Sequence, residues 1–280
     1  MTWKQATVWF QTAETAERTA VADLAALMAD AEQRGQISAW WFMRKRGWKL
    51  RWRPAPGQTD LASNAMTAGL DALAQRAVIT GWKPTIYEPE TIAFGGPAAI
   101  AVAHELFHAD SQAVLAHLAA PERARQRRET TVLLCTALLR GAGLDWYEQG
   151  DVWARFAVHR HTDQRPDPHD PIVASVHRLI SGHSTGPNSP FVDAPAWPKA
   201  FTSAGEALAE LAGAGQLTRG LRAICAHHLL FAFNRSGVPG PQQAVLATAA
   251  EHAVFGYDPP GLLVHAGSPR AVGGSPRVAS

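Results

Sequence analysis

From Ser38 to Arg53 the chain reads SAWWFMRKRGWKLRWR, a run that leaves few choices of backbone. Aromatic side chains suit a pleated surface. Arg46-Gly47 interrupts the run where a tight turn belongs. The run therefore predicts a hairpin made of Ala39 to Lys45 and Trp48 to Arg53. Alternate residues of a strand point the same way, which puts Lys49, Arg51 and Arg53 on one face, with Arg44 and Lys45 on the partner strand. A charge row of this kind either protects a sheet edge from aggregation or offers planar guanidinium forks to carboxylate and amide oxygens.

The flanks add one strand before the hairpin and mostly helices after it. Thr2 to Phe10 alternates like a strand, and Thr12 to Arg34 has helical Ala/Leu spacing that stops at Gly35. Leu61 to Ile79 predicts a helix, and Pro84 to Phe94 an extended segment ending at Gly95-Gly96-Pro97. Helical spacing then recurs over Ala98 to Leu118, Arg128 to Leu139, Ala142 to Val158, Thr202 to Ala214, Leu221 to Asn234 and Gln242 to Val254. Gly237-Val238-Pro239-Gly240 stops the penultimate helix. His159 to Pro171 and Ser181 to Pro198 read as loops, where a linker between separate domains would fit. This order of elements predicts an α+β fold in which a mostly antiparallel sheet packs with a larger set of α-helices. One domain is expected over 1–256, with a disordered tail over 257–280.

Bulk properties exclude several classes. Lys and Arg number 26 against 24 Asp and Glu, a net charge of +2, so nucleic-acid binding by bulk charge is not indicated. No window approaches about 18 uncharged apolar residues, and the N-terminus lacks the form of a secretory signal. No membrane association and a cytoplasmic location are expected. Cys135 and Cys225, the only two cysteines, lie in apolar stretches and read as reduced, buried thiols.

Four clusters carry candidate chemistry. His104-Glu105-Leu106-Phe107-His108 matches H-E-x-x-H, in which two imidazoles one turn apart hold zinc and the Glu activates water. The downstream Gly and His of the extended motif are absent, however, and no third ligand stands out. Asp145 to Trp153 packs three acids, Tyr147 and two indoles into nine residues, as in a site where Tyr147 donates a proton or Glu148 or Asp151 acts on a substrate. The same residues also suit a helix start, with acids at the positive end of the dipole. His227 and His228 lie on an apolar helix that ends in Asn234-Arg235, a pair suited to cap it. Adjacent helical side chains diverge by about 100°, so at most one of the two histidines faces the core squarely. The hairpin cations form the fourth cluster.

Several long stretches together resemble a known family. They are the Trp3 to Phe10 strand, AWWFMRKRGWKLRWRP, IYEPETIAFGGPAAIAVAHELFHADSQAVL, LLCTALLRGAGLDWYEQGDVWARF and GLRAICAHHLLFAFNRSGVP. In this order, over about residues 2 to 255, they resemble the thiopeptide-type bacteriocin biosynthesis family. That family shares its fold with the elimination domain of class I lantibiotic dehydratases. The resemblance implies no metal or cofactor. It implies as partners a precursor peptide with leader and modified core, and other enzymes of the biosynthetic cluster.

Two activities are known in the family. One removes glutamate from a glutamylated Ser to leave dehydroalanine. The other joins two dehydroalanines by a formal [4+2] cycloaddition and expels water and the leader to give a pyridine. Arg51 and Arg53 match the two arginines of elimination domains. The elimination His, however, falls on Ala232, Lys49 replaces a strand His, and Ala93 stands where an Arg precedes Phe94-Gly95-Gly96. These departures favour the pyridine synthase, with stand-alone glutamate elimination as the alternative. A zinc metallopeptidase and a non-catalytic precursor-binding protein stand behind both. Tyr147 with His227 or His228 are then the candidate acid and base, with Glu88 and Glu90 orienting them or holding Arg51. Lys49 and Arg53 contact substrate, Asn234 binds a backbone amide, Trp41 and Trp146 wall the site, and the leader lies in a separate cationic groove.

Overall fold

The computed structural model describes residues 3–160, 166–182 and 190–256. The tail over 257–280 lies outside the described residues. Four strands form one antiparallel sheet in the order β2-β3-β1-β4: β1 (Lys4–Trp9), β2 (Ile37–Lys45), β3 (Gly47–Pro54) and β4 (Gly81–Thr85). The hairpin forms where the aromatic run predicts it, with Gly47 at φ +72°. A β-carbon there would meet Thr7 Cγ2 at 2.8 Å and Trp9 Nε1 at 2.9 Å, so only Gly permits the turn.

Between β1 and β2 the predicted single helix is α1 (Ala13–Thr19), a π-helical turn over Ala20–Leu24, and α2 (Ala25–Gln33). Thr12 caps it through a capping box with Thr15. After α3 (Thr59–Gln75) the rest is helical: α4 (Pro97–Leu118), α5 (Pro121–Arg125), α6 (Arg127–Gly141), α7 (Trp146–Val158), α8 (Pro171–Ser181), α9 (Ala196–Gly213), α10 (Leu221–Ser236) and α11 (Gly240–Phe255). α8 separates the two predicted loops and packs on α11. The α7 and α11 pair and the α6 and α9 pair lie close along their lengths. α6 and α9 can do so because Gly141 and Gly205 bring bare backbone against backbone. None of the described helices is long and apolar enough to cross a membrane.

The sheet has two differently used faces. Ala6, Val8, Trp40, Phe42, Trp48, Leu50 and Trp52 enter the main core, together with Leu24 and Met28 of the first helical stretch and Met66 and Leu70 of α3. On the other face Trp41 and Met43 join a smaller cluster with Phe94, Phe107 and Phe231. Helix α4 covers the free edge of β2, where an unpaired backbone would otherwise be buried. His108 Nδ1 lies 3.1 Å from the Trp40 N–H and 3.0 Å from its carbonyl, and the Phe42 N–H donates to Ser111 Oγ at 3.2 Å. In either tautomer, therefore, His108 meets one backbone group of the strand.

One expectation is corrected in α10. Arg235 does not cap that helix but is fully buried, donating from Nε to Asp110 Oδ2 at 2.6 Å and lying over Phe107. Gly237 in the left-handed conformation ends the helix, and Arg44 Nε donates to the Arg235 carbonyl at 2.9 Å. The hairpin thus supplies the cation at the negative helix end.

Candidate functional site

Arg51 is the centre of the sheet face that carries the smaller aromatic cluster. Its register partners, Trp41 on β2 and Gln5 on β1, flank it, and Thr85 on β4 completes the row. Arg51 Nε donates to Gln5 Oε1 at 2.7 Å, and Gln5 Nε2 passes the chain on to Thr85 Oγ1 and the Ile86 carbonyl. The guanidinium lies 4.1 Å from the Trp41 ring and 4.7 Å from the Tyr87 ring, a double cation–π stack. The residue as a whole is 8% exposed, with Nη1 buried and unpartnered. Burial lowers its pKa to about 10, which leaves it charged at neutral pH.

Tyr87 and His104 form a pair beside it, with Tyr87 Oη 2.8 Å from His104 Nε2. Burial pushes the phenol up to about 12 and the imidazole down to about 4, so both are neutral near pH 7. His104 therefore accepts from the phenol, or donates to it in the other tautomer. Trp41, Arg51, Tyr87, Glu88, Glu90, Phe94 and Phe231 surround a cavity of about 20 Å³, room for about one water.

A dyad stands at the rim of this cavity. His227 Nε2 lies 2.9 Å from Glu90 Oε2, and this hydrogen bond holds the Glu90 carboxyl below its ordinary range. The loop carrying Glu90 is fixed from α10's side of the molecule: Arg219 Nη1 donates to the Ala93 carbonyl at 2.7 Å and the Thr218 N–H to the Gly95 carbonyl at 3.0 Å. Beyond the dyad opens a groove of about 690 Å³ lined by Pro89 to Ala93, His159, Arg219 and His227.

The candidate residues separate into groups. Trp41, Arg51, Glu88 and Glu90 meet at the cavity, with His227 at its rim. Lys49 shares the face and donates to Thr7 Oγ1 at 2.7 Å, while Arg53 pairs with Glu105 at 2.9 Å and lies over Trp3. His228 is buried against Phe94 and Phe107, and neither ring nitrogen has a partner. Asn234 accepts from Arg160 in a separate groove. Tyr147 is 66% exposed and stacks on Phe255, and Trp146 packs against His177. Glu148 closes a capping box with Asp145, and Asp151 pairs with Arg155 and Arg222. The acids of this stretch start α7, and none of Trp146, Tyr147, Glu148 or Asp151 lines the Arg51 cavity or the His227 groove.

The H-E-x-x-H residues are each engaged by the site or the sheet: His104 by Tyr87, Glu105 by Arg53 and His108 by the edge of β2. Among the described residues no three His, Cys, Asp or Glu side chains stand together as a metal site. Sequence reasoning named none of Tyr87, Gln5 and His104 as site residues, although the three stand at or beside Arg51. Tyr87 lies two residues after β4 and just before Glu88 and Glu90, and that placement beside an Arg-bearing sheet was the available signal.

Neutral buried imidazoles make stability fall on acidification. Burial pushes His104 to about 4 and His228 to about 3, both below the ordinary 6.5, and lowers His117 and His159 in the same direction. As pH drops from 6.5 towards 4 the unfolded chain binds protons that the folded one does not, so His104 and His228 each contribute a slope approaching ~1.4 kcal/mol per pH unit. Glu17 and Glu90, whose pKa values are lowered, lose their contribution only below about 4.5. Urea unfolding at pH 7, 6 and 5 checks this; a flat profile contradicts it.

Comparisons with known proteins agree with this architecture. The model of the family described as lantibiotic biosynthesis dehydratase C-term matches residues 3–254. The tRNA-dependent lantibiotic dehydratase MibB from Microbispora sp. 107891 is similar in structure, with TM-score 0.64 and 16% identity over 91% of this chain. The chain spans 28% of the length of MibB. TsrL has TM-score 0.55 and 15% identity over 89% of this chain and 93% of its own. The pyridine synthase TbtD from thiomuracin biosynthesis has TM-score 0.55 and 14% identity, covering 91% of this chain and 98% of its own. A search of curated proteins gives no match. The family match over residues 3–254, nearly the whole chain, places this chain in the lantibiotic biosynthesis dehydratase C-terminal family.

Proposed function

We propose that this protein matures a ribosomally made precursor peptide as a pyridine synthase, joining two dehydroalanines into a six-membered ring. The observation that carries the reading is the Arg51 cavity, where Tyr87, hydrogen-bonded to a neutral His104 imidazole, stands beside a buried guanidinium with an unpartnered N–H, and which adjoins through Glu90 the larger His227 groove that has room for the two dehydroalanines. Cycloaddition needs the amide before the first dehydroalanine to become its iminol, moving a proton from nitrogen to oxygen. Tyr87 with His104 can relay that proton, while Arg51 holds the oxygen. Two carbon–carbon bonds then form: one between the two methylene carbons, the other between the former carbonyl carbon and the second α-carbon. Loss of water from the carbonyl carbon and of the leader as its amide from that α-carbon leaves the aromatic ring, and no oxidant is required. Trp41, Phe94 and Phe231 exclude water, and alignment of the two alkenes supplies much of the rate. Ala232 in place of the elimination His supports the same reading.

Glutamate elimination is the second reading, favoured by the His227–Glu90 dyad at the rim of the cavity. There His227 would take the α-proton of a glutamylated Ser while Arg51 steadies the enolate oxygen. Side-by-side incubation with a glutamylated-Ser peptide and a bis-dehydroalanine peptide, each carrying the leader, separates the two. Consumption of the second alone is expected. Conversion of the first to dehydroalanine would replace the synthase reading by elimination.

A further inference from the structure

A second groove, of about 540 Å³, lies beside the hairpin turn and the C-terminal end of α10, a volume typical of ligand sites. Trp9, Phe10 and Trp48 form its apolar walls. Its charged lining is Arg44, Lys45 and Arg160, and no Asp or Glu is among the lining residues. Arg160 is held in an unusual way. Its Nε donates to Gln243 Oε1 and its Nη2 to Asn234 Oδ1, both at 2.7 Å. Gln243 is 2% exposed and is anchored in turn by donating to the Val238 carbonyl at 2.6 Å. Two neutral amides thus orient the guanidinium, and among the described residues no carboxylate pairs with it. Arg44 differs, because Glu17 already neutralises it at 2.7 Å. Lys45 is exposed at the rim.

A preoriented guanidinium and an exposed ammonium beside indole walls are complementary to a carboxylate that adjoins an apolar side chain. We propose that this groove binds an acidic peptide segment, with a Glu or Asp carboxylate between Arg160 and Lys45 and the neighbouring apolar side chain against Trp9 and Trp48. The groove also continues to the candidate site. His227, Phe231 and Asn234 lie at i, i+4 and i+7, one stripe of α10, and line the three hollows in turn. Glu90 is shared by the first two hollows and Lys45 by the last two. Seven residues of helix rise about 10 Å, which an extended peptide covers in about three residues. On the reading of this protein as a precursor-peptide enzyme, a substrate running along this stripe therefore has about three residues between the His227 groove and the acidic residue, with the Arg51 cavity between them.

The test is fluorescence anisotropy with an end-capped, labelled peptide carrying adjacent Glu residues flanked by Leu and Phe, against its Glu→Gln counterpart. The full chain is expected to bind the acidic peptide at least about tenfold more tightly, a preference that weakens with salt. Arg160→Gln should abolish the preference, and Lys45→Ala, an exposed change that spares the fold, should reduce it several-fold. Arg34→Ala, a charge loss on α2, should leave it intact. Equal binding of the two peptides would overturn the proposal, as would a preference that survives both variants. Displacement by millimolar inorganic phosphate would also overturn it, by assigning the groove to free anions. Tyr87→Phe is expected to bind the peptide normally, so failure of the ring-forming reading leaves this result standing.

Discussion

Asp110→Ala is expected to lower folding stability by about 3–5 kcal/mol, the usual cost of breaking a buried ion pair by removing one partner. Asp110 on α4 accepts from Arg235 Nε on α10 at 2.6 Å and from Trp197 Nε1 on α9 at 2.7 Å. One carboxylate therefore joins three helices, and its loss strands a guanidinium whose side chain is 1% exposed. Phe107 lies against that guanidinium and stacks on Phe231, so the pair also sets the aromatic wall of the Arg51 cavity. Urea denaturation measures the loss. A second variant separates charge from shape: Asp110→Leu combined with Arg235→Met should recover most of the stability, because an apolar replacement of both partners leaves no charge uncompensated. A single-variant loss below about 1 kcal/mol would show that the pair does not hold these helices together.

Tyr87→Phe is expected to reduce kcat by about 10²–10⁴-fold, the worth of a positioned acid–base group, with KM little changed. The ring remains to pack on Trp41 and Arg51, and only the hydroxyl that meets His104 is removed. Because Tyr87 is pushed up to about 12 and His104 down to about 4, neither changes its protonation state between about pH 5 and pH 10, and the chemical step should be insensitive to both over that window. A loss under tenfold would remove the pair from the chemistry. Single-turnover kinetics with His104→Gln provides the companion reading, since an amide can accept from the phenol but cannot relay its proton.

Local chemistry made much of the fold legible. The hairpin followed from aromatic alternation around Gly47, and most helices from their apolar spacing. The break within the first helical stretch was not legible, because a π-turn leaves the Ala/Leu spacing almost unchanged. The site was only half visible. Arg51, Trp41 and Glu90, named from the sequence, line one cavity, and strand periodicity puts Arg51 on the face that borders it. Density of functional groups has a local structural cause elsewhere: in Asp145 to Trp153, Asp145 and Glu148 cap α7 while Trp153 fills the core, the helix start that the sequence also suggests. His108 satisfies a strand edge and Arg235 neutralises a buried Asp, and both partners are distant in sequence. Tyr87 meets His104 only because α4 brings that imidazole across to it, a contact no local pattern encodes.

The central claim, that this protein closes a pyridine ring, is tested most directly by the mass spectrum of its reaction with a leader-bearing peptide that already contains two dehydroalanines and azoles. The account predicts two new species: a macrocycle lighter than the starting peptide by one water and the leader amide, and the leader amide itself. An unchanged peptide, in a reaction where the protein is folded and binds the leader, would contradict it.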